Sequence, residues 1–465
     1  MARSLPDLTS FGRARERVTG LSAPQLLVAS FAALIAVGTL GFFALPGLWV
    51  GAGVGLVDAL FMATSAVCVT GLTVVDVSTR MTFRGQLWLL VLIQLGGLGI
   101  LTLAALAAVA LGRRSSLEVE EAIGNPTSIL PVSSPRAMVR AVVLTTLTVE
   151  AVGAAVLWTG WAGTMGASAA IWHALFHAVS AFCNAGFSTF GDSLTGLATH
   201  PPTVLTVAAL ILTGGIGFLV LEDVRHLLAG RRRRLTLHSR LAVTTSGVLL
   251  VLATSLYLLF EVRETFASLG FVDRLVNAFF LAVTPRTAGF NTVDYDNLAN
   301  PSVLLTLALM WIGGSPGSVA GGVKTTTVAL LALLLVARLR GRGDVSIANR
   351  SVPDATVQRA VGLAVGMILL LVVAVFALSW TELPEPADEQ DRAHFVRLLF
   401  EAQSALGTVG LSMGVTDELT PAGRLVIVTL MFLGRVGPLA VLGAMARSSA
   451  GRPRYRLGRE DVLVG

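Results

Sequence analysis

Charged side chains make up only 13% of this 465-residue sequence, about half the ~25% of an average soluble domain. That scarcity argues against a soluble globular class. Cysteine is nearly absent: Cys68 and Cys183 cannot build a disulfide framework, which leaves one bridge or two small buried thiols. Lysine occurs once, at Lys324. The signatures of enzymes are missing too. No Rossmann fingerprint, metal-ligand cluster or nucleophile triad is present, and the stretch from Gly317 to Thr325 departs from a phosphate-binding loop because Val323 separates Gly322 from Lys324. His173 and His177 share a helix face without a third ligand, so they read as packing residues rather than as a metal site.

What is abundant is apolar. Hydrophobic residues reach 54% and the mean hydropathy is +0.77. Apolar stretches at 25–50, 86–112, 137–161, 203–229, 240–260, 302–337, 357–380 and 422–446 each meet the roughly 20-residue requirement of a helix across lipid. The first is longer than a signal-peptide core and reads as an uncleaved span. Between the members of each pair lies a shorter segment: Asp58 to Val67, Ile171 to Phe182, Asp273 to Val283 and Phe395 to Leu406. These are too short to cross and suit re-entrant half-helices. The expected class is an all-α integral membrane protein. Four units, 25–112, 137–230, 240–338 and 357–447, lie between an arm (1–24) and a tail (448–465). Arginines crowd the arm, the tail and the loops between units, including Arg231 to Arg234, while acidic residues such as Asp294, Asp296, Glu382 and Asp388 favour the other side. The positive-inside rule then makes both termini cytoplasmic. The basic balance is better explained by topology and the lipid membrane than by nucleic acid.

After each half-helix comes a small turn centred on glycine: Val69-Thr70-Gly71, Asn184-Ala185-Gly186, Thr287-Ala288-Gly289 and Thr408-Val409-Gly410. The glycines recur at intervals of roughly 100–120 residues, the signature of an internal fourfold repeat. Irregular backbone at membrane depth survives only where protein or a watery pathway satisfies it. A dehydrated cation needs oxygens in place of its water, and backbone carbonyls supply them only from unusual dihedrals that glycine permits. Half-helices descending from outside would aim their partly negative C-terminal ends at such an ion. The expectation is a cation pathway lined by four turns around one central pore.

These residues resemble the Trk/Ktr/HKT superfamily of potassium transporters over nearly the whole chain. The matching stretches are Asp58 to Leu72, Asn184 to Phe187, Thr284 to Thr292 and Gly313 to Thr327. Eight spans make the chain more similar to the KtrB-type subunit than to the TrkH type. The resemblance implies that Gly71, Gly186, Gly289 and Gly410 are the filter glycines. In that superfamily serine in the first place accompanies sodium permeation, so by resemblance glycine in all four implies a preference for potassium over sodium. It also implies a homodimer on a cytosolic RCK-type nucleotide-binding ring, with potassium as substrate, no covalent cofactor and sodium's role as activating or coupling ion left open.

A second glycine series follows about 24–28 residues after each turn. It comprises Gly96-Gly97, Gly214-Gly215 and Gly313-Gly314, and at the fourth place Gly434 is followed by Arg435. Arg435 reads as a cation barrier facing the pathway or as a structural arginine paired with carbonyls. In the third unit, Gly313 to Thr327 contains Gly313, Gly314, Gly317, Gly321 and Gly322 with Ser315, Pro316, Lys324 and Thr325. No continuous helix favours that composition. The expectation is two half-helices around an intramembrane loop, which the resemblance identifies as a gate; a static kink is the alternative. A sodium-coupled transporter of another solute and a non-transporting scaffold remain open from the residues alone.

Overall fold

In a computed structural model the described residues are 23–98, 135–347, 350–383 and 391–437. Most of the arm, residues 99–112 of the first unit, the acidic cluster at Asp388 and the tail lie outside them. The first unit comprises α1 (Ala23–Ala44), α2 (Leu56–Cys68) and α3 (Phe83–Gly97). The second has α4 (Pro135–Met165), α5 (Ala167–Phe182), α6 (Pro201–Ile216) and α7 (Phe218–Leu228). The third has α8 (Leu237–Glu261), α9 (Phe271–Val283), α10 (Asn300–Trp311) and α11 (Thr325–Leu339). The fourth has α12 (Asp354–Thr381), α13 (Asp391–Gly407) and α14 (Pro421–Val436). The only strands described, β1 (Ser346–Ile347) and β2 (Arg350–Ser351), form a short antiparallel hairpin before α12.

Local chemistry sets where these helices start. Thr82 Oγ1 accepts from Gly85 N at 3.2 Å and Thr420 Oγ1 from Gly423 N at 3.2 Å, satisfying first-turn donors. Helices α6 and α10 instead open with Pro201-Pro202 and Pro301, where a missing N–H costs nothing.

The short helices form the centre and the long ones the wall. On α2 every residue from Phe61 to Cys68 is buried, and α5, α9 and α13 are buried just as deeply over their C-terminal halves. Four helices, α1, α4, α8 and α12, are long and apolar enough to cross a bilayer by themselves. Along α12, Val365, Leu369, Val372, Val373 and Phe376 are exposed. In water that would be a large unpaired apolar face, whereas lipid is its natural solvent.

Packing follows one rule four times. Each half-helix contacts the first long helix of its own unit: α1 on α2, α4 on α5, α8 on α9 and α12 on α13. Each also receives the latter helix of the preceding unit: α3 on α5, α6 on α9, α10 on α13, and α14 back on α2. The arrangement therefore closes on itself. Asp58 at the start of α2 and Arg424 on α14 add an ion pair of 2.6 Å across the closing seam.

Two of the expected spans are not continuous. The break expected in the third unit runs from Ile312 to Lys324, and helix resumes at Thr325, so Thr325 to Thr327 belong to α11 rather than to the loop. The stretch 203–229, expected as one span, is bent by 100° between α6 and α7. Its hinge, Gly217, has φ 94, outside the helical region. The loop of the third unit lies against this hinge, where Phe218 N donates to Gly317 O at 3.0 Å and Gly215 O accepts from Ser315 N at 2.9 Å.

The second glycine series also has a packing reason. A Cβ on Gly96, Gly214 or Gly434 would run into the carbonyl oxygen of Val67, Phe182 or Leu406, each in the last turn of a half-helix. Without a hydrophobic force between helices in lipid, such close contact of small residues holds the bundle together. Gly214→Ala should force α6 away from α5 and lower stability by about 1–3 kcal/mol, the range for overpacking. A thermal unfolding curve of the detergent-purified protein checks this, with Gly247→Ala, at an open position, as the neutral comparison.

Candidate functional site: four glycine turns and the loop beside them

Each half-helix ends in a turn of alternating handedness. Among the described non-glycine residues with positive φ, Val69 (55°), Asn184 (57°), Thr287 (75°) and Thr408 (51°) open the four turns, and Ser193 is the other. Two residues later the glycines are again left-handed: Gly71 (100°), Gly186 (71°), Gly289 (76°) and Gly410 (92°). Three of the opening residues are β-branched, for which this region is an outlier costing about 1–3 kcal/mol. Strain repeated at equivalent places points to function.

Hydroxyls behind the turns hold this backbone. Ser65 and Ser404 each act twice: Ser65 O accepts from Thr70 N at 2.8 Å and its Oγ from Gly71 N at 3.1 Å, while Ser404 O accepts from Val409 N at 2.8 Å and its Oγ from Gly410 N at 3.0 Å. Ser180 and Thr284 donate instead, to Phe187 O at 2.8 Å and Phe290 O at 2.5 Å. Sequence reasoning missed these four residues, although a hydroxyl five or six positions before each glycine was there to be found. Asn184, with its amide turned to satisfy both ends, donates to Ala181 O and Ile211 O at 3.2 Å and accepts from Thr287 Oγ1 at 3.3 Å. It thereby ties the second turn to the third.

The turns meet in a ring. A Cβ on Gly71 would lie 2.5 Å from Ala185 O, one on Gly186 2.9 Å from Ala288 O, and one on Gly289 2.5 Å from Val409 O. Gly410 closes the circuit against Thr70 O. The glycines of sequential units are thus neighbours, and those of the first and third, or second and fourth, stand across from each other. All four glycines line one side of a cavity of about 550 Å³, whose wall continues through Asp76, Asp192, Asp294 and Asp417. Among the described residues no basic side chain lines it. Partial burial pushes the Asp76 carboxyl up, but hydrogen bonds from Thr79 and Ser78 outweigh it and hold the group below its ordinary range. It is therefore anionic at neutral pH, which favours cations in the cavity.

The loop between α10 and α11 lies against the fourth turn: a Cβ on Gly321 would strike the Thr408 side chain. Its backbone groups are paired with the broken helix of the second unit. Gly215 O accepts from Ser315 N at 2.9 Å, Gly214 O from Val319 N at 3.4 Å, and Phe218 N donates to Gly317 O at 3.0 Å. Within the loop Gly313 N donates to Val323 O at 2.8 Å, and the start of α11 is tied to it by Thr325 N donating to Gly314 O at 3.1 Å and by Ser315 Oγ pairing with Thr325 Oγ1 at 3.0 Å. Lys324 Nζ donates to Ala320 O at 2.6 Å, and Gly322 takes φ 64. The buried Arg435 is carbonyl-paired: it donates to Val319 O in the loop and to Gly96 O, the latter at 2.6 Å. One guanidinium so joins three units.

Cys68 and Cys183 are free and buried, with no bridge between them. His173 pairs with Thr189 Oγ1 at 2.6 Å and His177 with Ser188 Oγ at 2.9 Å; among the described residues no group of metal-ligating side chains exists.

A family model described as TrkH, cation transport protein, matches residues 32–450. The chain belongs to this family of cation transport proteins. It is 36% identical to the potassium/sodium uptake protein NtpJ of Enterococcus hirae, over 97% of this chain and 99% of that protein. It is 37% identical to the Ktr system potassium uptake protein B of Bacillus subtilis, over 88% of this chain and 89% of the relative, and 35% identical to that of Vibrio alginolyticus, over 97% and 96%. Among solved structures the potassium transporter TrkH from Vibrio parahaemolyticus shares the fold, with a TM-score of 0.70 and 21% identity over 90% of this chain and 83% of that one. Family and apolar helices together make this a multi-pass membrane protein.

Because Gly410 combines φ 92 with contact to Thr70 O, Gly410→Ala should open the ring. Rubidium uptake into proteoliposomes should fall at least tenfold, a barrier change of about 1.4 kcal/mol, and wild-type uptake by well-folded variant protein would refute the ring as the pathway.

Proposed function

We propose that the chain takes up potassium across a bacterial plasma membrane through a filter formed by residues 69–71, 184–186, 287–289 and 408–410. The observation that carries this reading is the closed ring of four left-handed turns, each at the C-terminal end of a buried half-helix. Alternating handedness turns successive carbonyls to one side, and the half-helix ends add partial negative charge, so the ring suits a dehydrated cation. The names of the relatives, potassium uptake and potassium/sodium uptake proteins, support potassium as substrate and make sodium the ion to test beside it.

In this reading the acidic cavity faces outward and both termini are cytoplasmic. Gly313, Gly314, Ser315, Gly317, Gly321, Gly322, Lys324 and Thr325 belong to a gate across the path from Thr408 inward. Arg435 has two tasks there: its charge repels cations while the loop is in place, and its bonds to Val319 and Gly96 latch the loop. Opening must replace those bonds and the ones to Gly214, Gly215 and Phe218. A cytosolic RCK-type ring below a homodimer would supply the energy, in keeping with relatives named as parts of a Ktr system. Each of the four units then contributes one quarter of a single pore.

Rubidium flux into proteoliposomes, with potassium, sodium or lithium as competitor, tests the proposal. Potassium should suppress the flux and lithium should not, and deleting residues 318–320 should raise it several-fold. Absence of flux from both the wild-type protein and the deletion variant would refute potassium transport by this chain.

A further inference from the structure

Ionisable groups that are fully buried beside the turns are few, and two occupy matching places. Nine residues before the four turn glycines stand Met62, His177, Phe280 and Glu401, all at 0% exposure. The second and fourth of these are polar, and their turns face each other across the ring.

Both polar groups reach over the turn to the serine two residues past its glycine. His177 Nδ1 faces the carbonyl of His173 at 2.8 Å, so it is the donor, and neutral Nε2 accepts from Ser188 Oγ at 2.9 Å. Glu401 Oε2 accepts from Ser412 Oγ at 2.8 Å and Oε1 from Thr416 Oγ1 at 2.5 Å. Each serine closes a small turn of its own: Ser188 Oγ accepts from Phe190 N at 2.9 Å and Ser412 Oγ from Gly414 N at 3.1 Å. Both serines line the cavity wall next to the turn glycines. Stacking on Phe190, with ring centroids 4.7 Å apart, and an edge contact with Trp161 fix the plane of His177.

The other diagonal is built without such a bond. Phe280 offers no acceptor and Met62 only a weak thioether sulfur, and the third turn is held from outside, where Asn291 N donates to Ser193 Oγ at 3.2 Å and Asn291 O accepts from Leu194 N at 3.0 Å. We infer that His177 and Glu401 are positioning residues for cation discrimination: each fixes the strand leaving its glycine, and with it the aim of the Gly186 and Gly410 carbonyls at the cavity end of the ring. This rests on the filter reading above. Neither residue touches the ion. They act by stiffening two opposite quarters of its coordination shell, so their loss lets the ring adapt to a smaller cation.

The test is competition of potassium and sodium against rubidium uptake in proteoliposomes, for wild type, His177→Leu, Glu401→Leu, His177→Gln, Glu401→Gln and Glu261→Gln. Glu261 is equally buried but pairs with Thr265 Oγ1 and Ala299 N, away from any turn. Each leucine variant should lower the potassium-over-sodium preference by about three- to tenfold, the size of one hydrogen bond. The glutamine variants, which keep a polar end in place, should restore most of it, and Glu261→Gln should leave it unchanged. An unaltered preference in the leucine variants, or the same fall in leucine, glutamine and control proteins alike, overturns the inference. For a leucine variant that does not conduct, the difference between potassium and sodium in raising the melting temperature of detergent-purified protein is read instead, and a wild-type difference there also overturns it. Lack of rubidium uptake by the wild-type and loop-deleted proteins strikes the transport reading itself and is a separate result.

Discussion

Four pieces of backbone meet at the centre of this protein with no side chain between them, and most of the architecture serves that contact. Each turn glycine lies against the carbonyl of the next unit. A buried carbonyl in lipid must find a partner. Here the carbonyls of Thr70, Ala185, Ala288 and Val409 lie against the glycines of neighbouring turns, and in the proposed filter a cation is their complement. Left-handed Val69, Thr287 and Thr408 would relax in isolation. They persist because half-helices end at fixed places around the ring and hydroxyls at Ser65, Ser180, Thr284 and Ser404 hold the chain from behind.

The same constraint extends outward through the latter helices. Gly96, Gly214 and Gly434 allow these helices to touch the half-helix ends, so small residues grip where the bundle meets the ring. The third unit departs from the pattern, since its helix stops at Trp311 and a loop enters the interior. Its polar backbone is tolerated because a second helix breaks to receive it. Bent α6–α7 frees a carbonyl at Gly214, another at Gly215 and an N–H at Phe218, and the loop bonds to all three. Break and loop are one device, with Arg435 across it.

The ring is not symmetric in chemistry, although its backbone repeats. His177 and Glu401 brace one diagonal through serine hydroxyls, while Met62 and Phe280 pack the other. A chain that carries all four quarters can differentiate them, which four identical subunits cannot.

The sequence by itself determined the solvent, the helices and the turns. Scarce charge and long apolar stretches state what surrounds the protein, and glycine in register states where the backbone takes dihedrals that other residues adopt only at a cost. Such properties are local, so they are legible in a linear chain. The interruption expected at Gly313 to Thr327, and found from Ile312 to Lys324, was legible for the same reason, because glycine and proline act on their own backbone. The bend at Gly217 was not. Gly214, Gly215 and Gly217 stand in an apolar run that reads as one span, and the loop that bonds across the break comes from another unit, about 100 residues away. Arg435 likewise gave no sign in the sequence of its partners, the carbonyls of Gly96 and Val319, which only the tertiary structure brings within reach. Partners distant in sequence decided these features, because hydrogen bonds across units exist only once the ring has closed.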